Sequence, residues 1–171
     1  MTDTFPLGPK PTTITGGCLC AKLRYEVILP EGHDFIAASM TCQCTQCRKQ
    51  SGALVAVFHT VPPLRWTSND TSTFSEYRAS EAATRGFCTA CGSWLYYKEN
   101  GKEGVSLCVG TVDGDILLGK KGPDGEDEKK GYGRALASGL GGHVYCENEI
   151  LGVTDDIPML KRGTRYEAGD G

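Results

Sequence analysis

Cys42-Gln43-Cys44-Thr45-Gln46-Cys47 places three thiols within six residues. Nothing else in the chain restricts its folding so narrowly, because sulfurs at this spacing converge on one ion from a single turn. Two other pairs have the same character, Cys18 with Cys20 and Cys88 with Cys91. Seven of the nine cysteines thus fall in three tight clusters, and only Cys108 and Cys146 stand alone. Disulfides explain many cysteines in secreted chains. Here residues 1–10 carry no apolar signal-peptide core, and an odd number of thiols cannot pair completely within one chain. Metal ligation, by zinc first of all, is the reading the spacing supports.

The 171 residues suit one domain with tails, long enough to build a core of its own. A net charge of -3 and a pI of about 5.6 argue against a general nucleic-acid partner, whose footprint is a basic face. The longest clean apolar run, residues 53–58, is far too short to span a bilayer. The expectation is a soluble, cytoplasmic protein with neither membrane nor nucleic acid as partner.

Residues 1–11 are polar with three prolines and read as a flexible tail. Gly16 and Gly17 would let the backbone turn so that Cys18 and Cys20 face one side. Residues 23–29 alternate as a half-buried strand, closed by Pro30-Glu31-Gly32. Residues 35–41 read as a strand leading into the triple motif. Arg48 to Gly52 reads as a polar turn, whose Arg48 and Lys49 either offset thiolate charge or are simply solvated. Further strands are expected at 54–60, 64–67, 74–77, 84–87, 94–97, 105–109 and 143–147. No long stripe of period 3.6 interrupts them, so the fold class is all-β.

Composition changes after Asp113. Twelve of the 23 glycines lie between Gly101 and Gly142, and residues 120–130 balance four cations against four anions. Such a segment buries little apolar surface. Residues 119–142 are therefore expected as a mobile loop, either a lid or an idle insertion. The domain proper is expected over 12–160, with 161–171 as a C-terminal tail.

The clusters can be sorted in more than one way. Cys18, Cys20, Cys88 and Cys91 together supply four thiols for a closed tetrahedral site, tying the first strand to the middle of the chain. Cys42, Cys44 and Cys47 are then left with an open fourth place. Alternatively Cys108, Cys146 or a histidine completes the triple site, or two of its thiols join another pair.

Gly17-Cys18-Leu19-Cys20, the triple motif followed by Arg48-Lys49 and Ser51-Gly52, and Phe87-Cys88-x2-Cys91-Gly92-Ser93 resemble the glutathione-dependent formaldehyde-activating enzyme family, which includes centromere protein V. The resemblance runs from about Thr15 to Leu160, and Gly110-Thr111-Val112-Asp113 and His143-Val144-Tyr145 are similar to its later segments. It implies a β-tent of packed antiparallel sheets. It also implies two Zn2+ per chain: a structural zinc on Cys18, Cys20, Cys88 and Cys91, and a second zinc on Cys42, Cys44 and Cys47 beside the glutathione thiol. Two departures stand out. Gln43 occupies a position that is often histidine in the family, and the 119–142 segment is long.

Two functions follow as expectations. The first is a carbon–sulfur lyase resembling S-(hydroxymethyl)glutathione synthase, acting on a small-molecule thiol, glutathione or similar, and an aldehyde. Cys42, Cys44 and Cys47 are its catalytic residues, as ligands of the open zinc. Gln43, His59 and His143 are within consideration for positioning an oxygen or a proton, and Arg24, Arg48, Lys49 and Arg65 for the substrate carboxylates. The second is a non-catalytic, zinc-stabilised binding module. A redox or metal-handling role for Cys44, Cys47, Cys108 or Cys146 is a third, weaker reading.

Overall fold

The alternation over residues 23–29 is met by a strand over residues 24–28, with Leu23, Tyr25, Val27 and Leu29 buried and the residues between them more exposed. The structure, a computed structural model, describes residues 6–125 and 127–169. Residues 1–5 and 170–171 of the expected tails, and Glu126 of the expected loop, lie outside the described residues. β1 (Thr13–Gly17) and β2 (Arg24–Ile28) pair antiparallel, with Ile14 opposite Val27 and Gly16 opposite Tyr25. Ile14, Tyr25 and Val27 face the core with almost no exposure, and Gly16 is buried with them. Gly16 matters because of contact, not because of a turn: a Cβ there would lie 2.3 Å from the Tyr25 hydroxyl and 2.4 Å from the Thr111 carbonyl oxygen. The turn itself comes later, at Ala21, which takes a left-handed φ of 61°.

β3 (Ser39–Cys42) ends at the first thiol of the triple motif, and α1 (Thr45–Ser51) carries the last. α1 replaces the polar turn expected over 48–52. Cys44 caps its start, and Gly52, at a φ of 71°, ends it by donating its N–H to the Arg48 carbonyl. Left-handed backbone at this position is what glycine supplies without steric cost. The chain continues through β4 (Ala56–Val61), β5 (Arg65–Trp66), β6 (Phe74–Tyr77), β7 (Ala83–Cys88), β8 (Trp94–Glu99) and β9 (Val105–Cys108). A one-turn helix, α2 (Gly114–Leu117), follows.

β1, β2 and β5 form a small antiparallel sheet in the order β1-β2-β5. The large sheet has seven strands, β12-β3-β4-β9-β8-β7-β6, with β12 (Gly142–Val144) parallel to β3 and every other pair antiparallel. The fold is thus β-dominated with packed sheets, as the resemblance implied. Ile14, Leu23, Tyr25 and Val27 of the small sheet and its hairpin pack with Leu95, Tyr96, Val105 and Leu107 of the large one. Each fully buried leucine or isoleucine contributes about 1.5–3 kcal/mol. A register shift between Gly86 and Phe87 brings the consecutive Leu95 and Tyr96 into this same core. Strand alternation sends Ala56, Phe58 and Trp94 into a second cluster with Cys42 and Cys47. Among the described residues no helix is long and apolar enough to cross a membrane.

Residues 119–142 differ from the unordered loop expected of their composition. β10 (Gly119–Lys121) pairs with β11 (Asp127–Lys130), and α3 (Gly133–Leu136) follows. Ala135 and Leu136 are fully buried in the main core. The Leu136 carbonyl accepts from Ser39 Oγ and from His59 Nδ1. Two apolar residues and two hydrogen bonds to β3 and β4 therefore anchor a segment that is otherwise polar. The C-terminal stretch departs from a free tail in the same way. Residues 164–166 run parallel beside β12, with His143 N–H donating to Thr164 and Tyr166 N–H to His143.

His59 gives this anchoring a pH dependence. Its Nδ1–H donates to the Leu136 carbonyl, so its Nε2 must accept, and His33 Nε2 lies 2.9 Å away. Burial first, then the neighbouring His33, pull the His59 pKa down to about 4. The unfolded chain therefore binds a proton between the ordinary pKa and that value while the folded one does not. Stability contributed by neutral His59 is present above pH 6.5 and is lost as pH falls toward 4, by roughly 3 kcal/mol in all. Urea midpoints at pH 7 and pH 5 should show a loss in the native chain that is about 2 kcal/mol larger than in a His59→Gln variant. Equal losses in both would rule this out.

Candidate functional site

Two hairpin tips build the first cluster. The β1–β2 tip carries Cys18 and Cys20, with Ala21 N–H donating to the Cys18 carbonyl and Leu23 N–H to the Cys18 sulfur at 3.3 Å. The β7–β8 tip carries Cys88 and Cys91, with Gly92 N–H donating to the Cys88 carbonyl. Leu19 N–H donates across to Ser93 Oγ at 2.9 Å and ties the tips together. The sulfurs of Cys18, Cys20, Cys88 and Cys91 all lie within 4.8 Å of one another, Cys18 and Cys20 at 3.5 Å and Cys20 and Cys88 at 3.9 Å. A tetrahedral ion with metal–sulfur bonds of about 2.3 Å sets its sulfurs about 3.8 Å apart. The four residues present fit such an ion.

The second cluster sits where β3 passes into α1. The sulfurs of Cys42, Cys44 and Cys47 lie within 4.8 Å of one another. Cys44 N–H points at the Cys42 sulfur at 3.4 Å, and Cys47 N–H at the Cys44 sulfur at 3.3 Å. Among the described residues no histidine or carboxylate joins this group, and neither does Cys108 or Cys146. The sorting of clusters left open above is thus met in space as four thiols and three. All nine cysteines are free of disulfides.

Charge is the second test of fit. Hydrogen bonds from Cys42 and then Cys47 hold the Cys44 thiol down at about 2, and its bond to Cys44 pushes Cys42 far above the usual thiol range. Three thiolates this close together repel one another. Only a bound cation lets all three ionise together. The donor set therefore fits a soft divalent metal, and each of the two clusters could hold one ion.

The surroundings of the triple cluster come from distant parts of the chain. Ala56, Phe58 and Trp94 pack against Cys42 and Cys47, with Tyr97, Cys108, Val144 and Tyr145 at the margin. An open cleft of about 460 Å³ is lined by Ala56 and Trp94 of this cluster, by Cys108, and by Cys91 and Ser93 of the β7–β8 tip. Gln43 is 1% exposed, and among the described residues neither atom of its amide is in hydrogen-bonding geometry, although it stands close enough to Glu149 to help lower that carboxyl. Glu149 is held mainly by Arg165, at 2.8 Å.

The other residues considered from sequence separate clearly. His143 bonds Thr41 Oγ1 at 2.7 Å and the Arg162 carbonyl, and His59 is held by His33 and Leu136. Both rings are engaged in structural contacts. Arg24 pairs with Asp113, which also accepts from Thr15, and Arg65 pairs with Glu26 on the small sheet. Arg48 and Lys49 lie in the last turn of α1, Lys49 exposed and Arg48 within 3.5 Å of Thr45 Oγ1. Sequence reasoning missed Arg85 of β7. It is 3% exposed and donates to Gln46 Oε1 at 2.8 Å, one residue before Cys47. Its guanidinium stands 5.3 Å from the Tyr97 ring centroid. A basic residue at a buried position of a strand was the available signal.

Comparison with known proteins follows the same lines. The family model described as glutathione-dependent formaldehyde-activating enzyme matches residues 13–125, well over half of the chain. A crystal structure of a Rhodobacter sphaeroides protein, a Northeast Structural Genomics target, is similar at 24% identity, covering 66% of this chain and 96% of that one with a TM-score of 0.47. No curated protein matches the chain.

Proposed function

The chain belongs to the family of glutathione-dependent formaldehyde-activating enzymes, and from that premise we propose that it is a carbon–sulfur lyase of the S-(hydroxymethyl)glutathione synthase type. In this reading a small-molecule thiol, glutathione or similar, and an aldehyde are joined or separated at an open three-cysteine site. The observation that carries it is the triple cluster itself: three converging sulfurs with no fourth protein ligand among the described residues.

Cys18, Cys20, Cys88 and Cys91 would hold a structural zinc, and Cys42, Cys44 and Cys47 a second one. When bound, that second ion supplies Lewis acidity and lowers the pKa of a thiol that takes its free place. The chain does the rest. β3 and α1 fix the three sulfurs, so little reorganisation accompanies substrate entry. Trp94, Phe58 and Ala56 keep water from one side. The cleft beside them, at about 460 Å³, lies in the range of small-molecule sites. In the forward direction the thiolate sulfur forms a bond to the aldehyde carbon, and the proton released from the thiol is returned to the carbonyl oxygen. The buried Gln43 amide has a hydrogen-bond donor to offer that oxygen.

Zinc content and X-ray absorption at the zinc edge, with and without glutathione, test the proposal. Two ions per chain are expected, with the average sulfur count rising from about 3.5 to about 4 per ion when glutathione is added. A count that ignores glutathione, or a single ion per chain, would favour a non-catalytic zinc-stabilised module.

A further inference from the structure

Arg85 is the least satisfied charge near the triple cluster. Its Nη2 is hydrogen-bonded to Gln46; Nε and Nη1 are buried without a partner among the described residues. Burying a guanidinium without an anion is costly, and the face of Tyr97 offsets only part of that cost. The guanidinium bonds to Gln46, the residue before Cys47, and faces the Tyr97 ring. The three sulfurs of the triple cluster are the groups beside it that can take up an opposing charge. Three thiolates around a divalent ion carry a net charge of -1. One fixed guanidinium balances it.

We propose that Arg85 is a positioning residue for the three-cysteine site: through Gln46 it fixes the start of α1, and its charge makes the occupied site neutral. An incoming thiolate then meets a neutral centre where it would otherwise be repelled. The inference rests on the open-site reading above. It assigns to β7 the charge-balancing role that was one of two readings for Arg48 and Lys49 beside the motif.

Metal affinity is the readout, measured on the full chain by competition against a chromophoric zinc chelator. The native chain, Arg85→Gln and Arg85→Lys are compared. Arg85→Gln should weaken one of the two ions roughly tenfold, the effect of one unit charge at close range in a partly buried setting, and leave the other unchanged. Arg85→Lys should recover most of that affinity, since it keeps the charge but loses the planar fork. The four-cysteine ion serves as the folding control. Arg85→Gln with both affinities intact overturns the proposal, and so does Arg85→Lys as weak as Arg85→Gln. A native chain that holds one ion only shows the failure of the open-site reading itself, before any variant is compared.

Discussion

Replacing Cys88 with serine should lower the melting temperature by roughly 10–20 °C, corresponding to a loss of about 5 kcal/mol in a chain of this size. Cys88 is fully buried, and it closes the β7–β8 tip against the β1–β2 tip. The two tips are about 70 residues apart in sequence, so an ion held between them removes a large loop entropy from the unfolded chain. Its removal also leaves three thiols facing one another without the cation that lets them ionise together. Calorimetry on the native chain, on Cys88→Ser and on chelator-treated protein would measure this. Chelation should bring the native chain down to the level of the variant. A variant within about 3 °C of the native chain would mean that the four-cysteine cluster holds no structural ion.

Cys44→Ser should give the opposite pattern. Turnover of thiol and aldehyde should fall at least about a hundredfold, since loss of a residue that merely supports a metal ligand already costs 10- to 100-fold. Stability should hardly move. Cys44 caps α1, accepting from the Cys47 N–H, and serine is among the best helix N-caps. The hydroxyl thus preserves the helix start while failing as a thiolate ligand. Zinc content should fall from two ions to one. Retained turnover with one ion bound would separate the activity from the triple cluster and sink the assignment of Cys42, Cys44 and Cys47.

The two variants differ because the two clusters sit differently in the fold. Cys18 and Cys88 belong to the main core, whereas Cys42 and Cys47 belong to the smaller one beside the cleft. Both clusters were visible as spacings. Alternation over residues 23–29 marked β2, and the short recurrence of apolar runs marked the β-dominated class. α1 was not visible, because seven residues are too few to show a helical stripe. The order of residues 119–142 was hidden for another reason. Ala135 and Leu136 are a small apolar pair within a polar stretch, and their partners Ser39 and His59 lie 97 and 77 residues away. The C-terminal stretch beside β12 was hidden because it is held there by backbone groups, which carry no side-chain pattern.

By itself the sequence determined the ligand types, their spacing, and the family to which those spacings belong. These are local facts: a thiol two or three residues from another can share an ion with it whatever the rest of the chain does. Only the tertiary structure decided that the clusters meet as four and three, that Cys108 and Cys146 stay out, and that Arg85 from β7 stands beside a motif 38 residues before it. Each of those depends on which strands lie next to each other in two sheets. Strand order is set by the burial of the whole core, and no single segment of the chain contains that information.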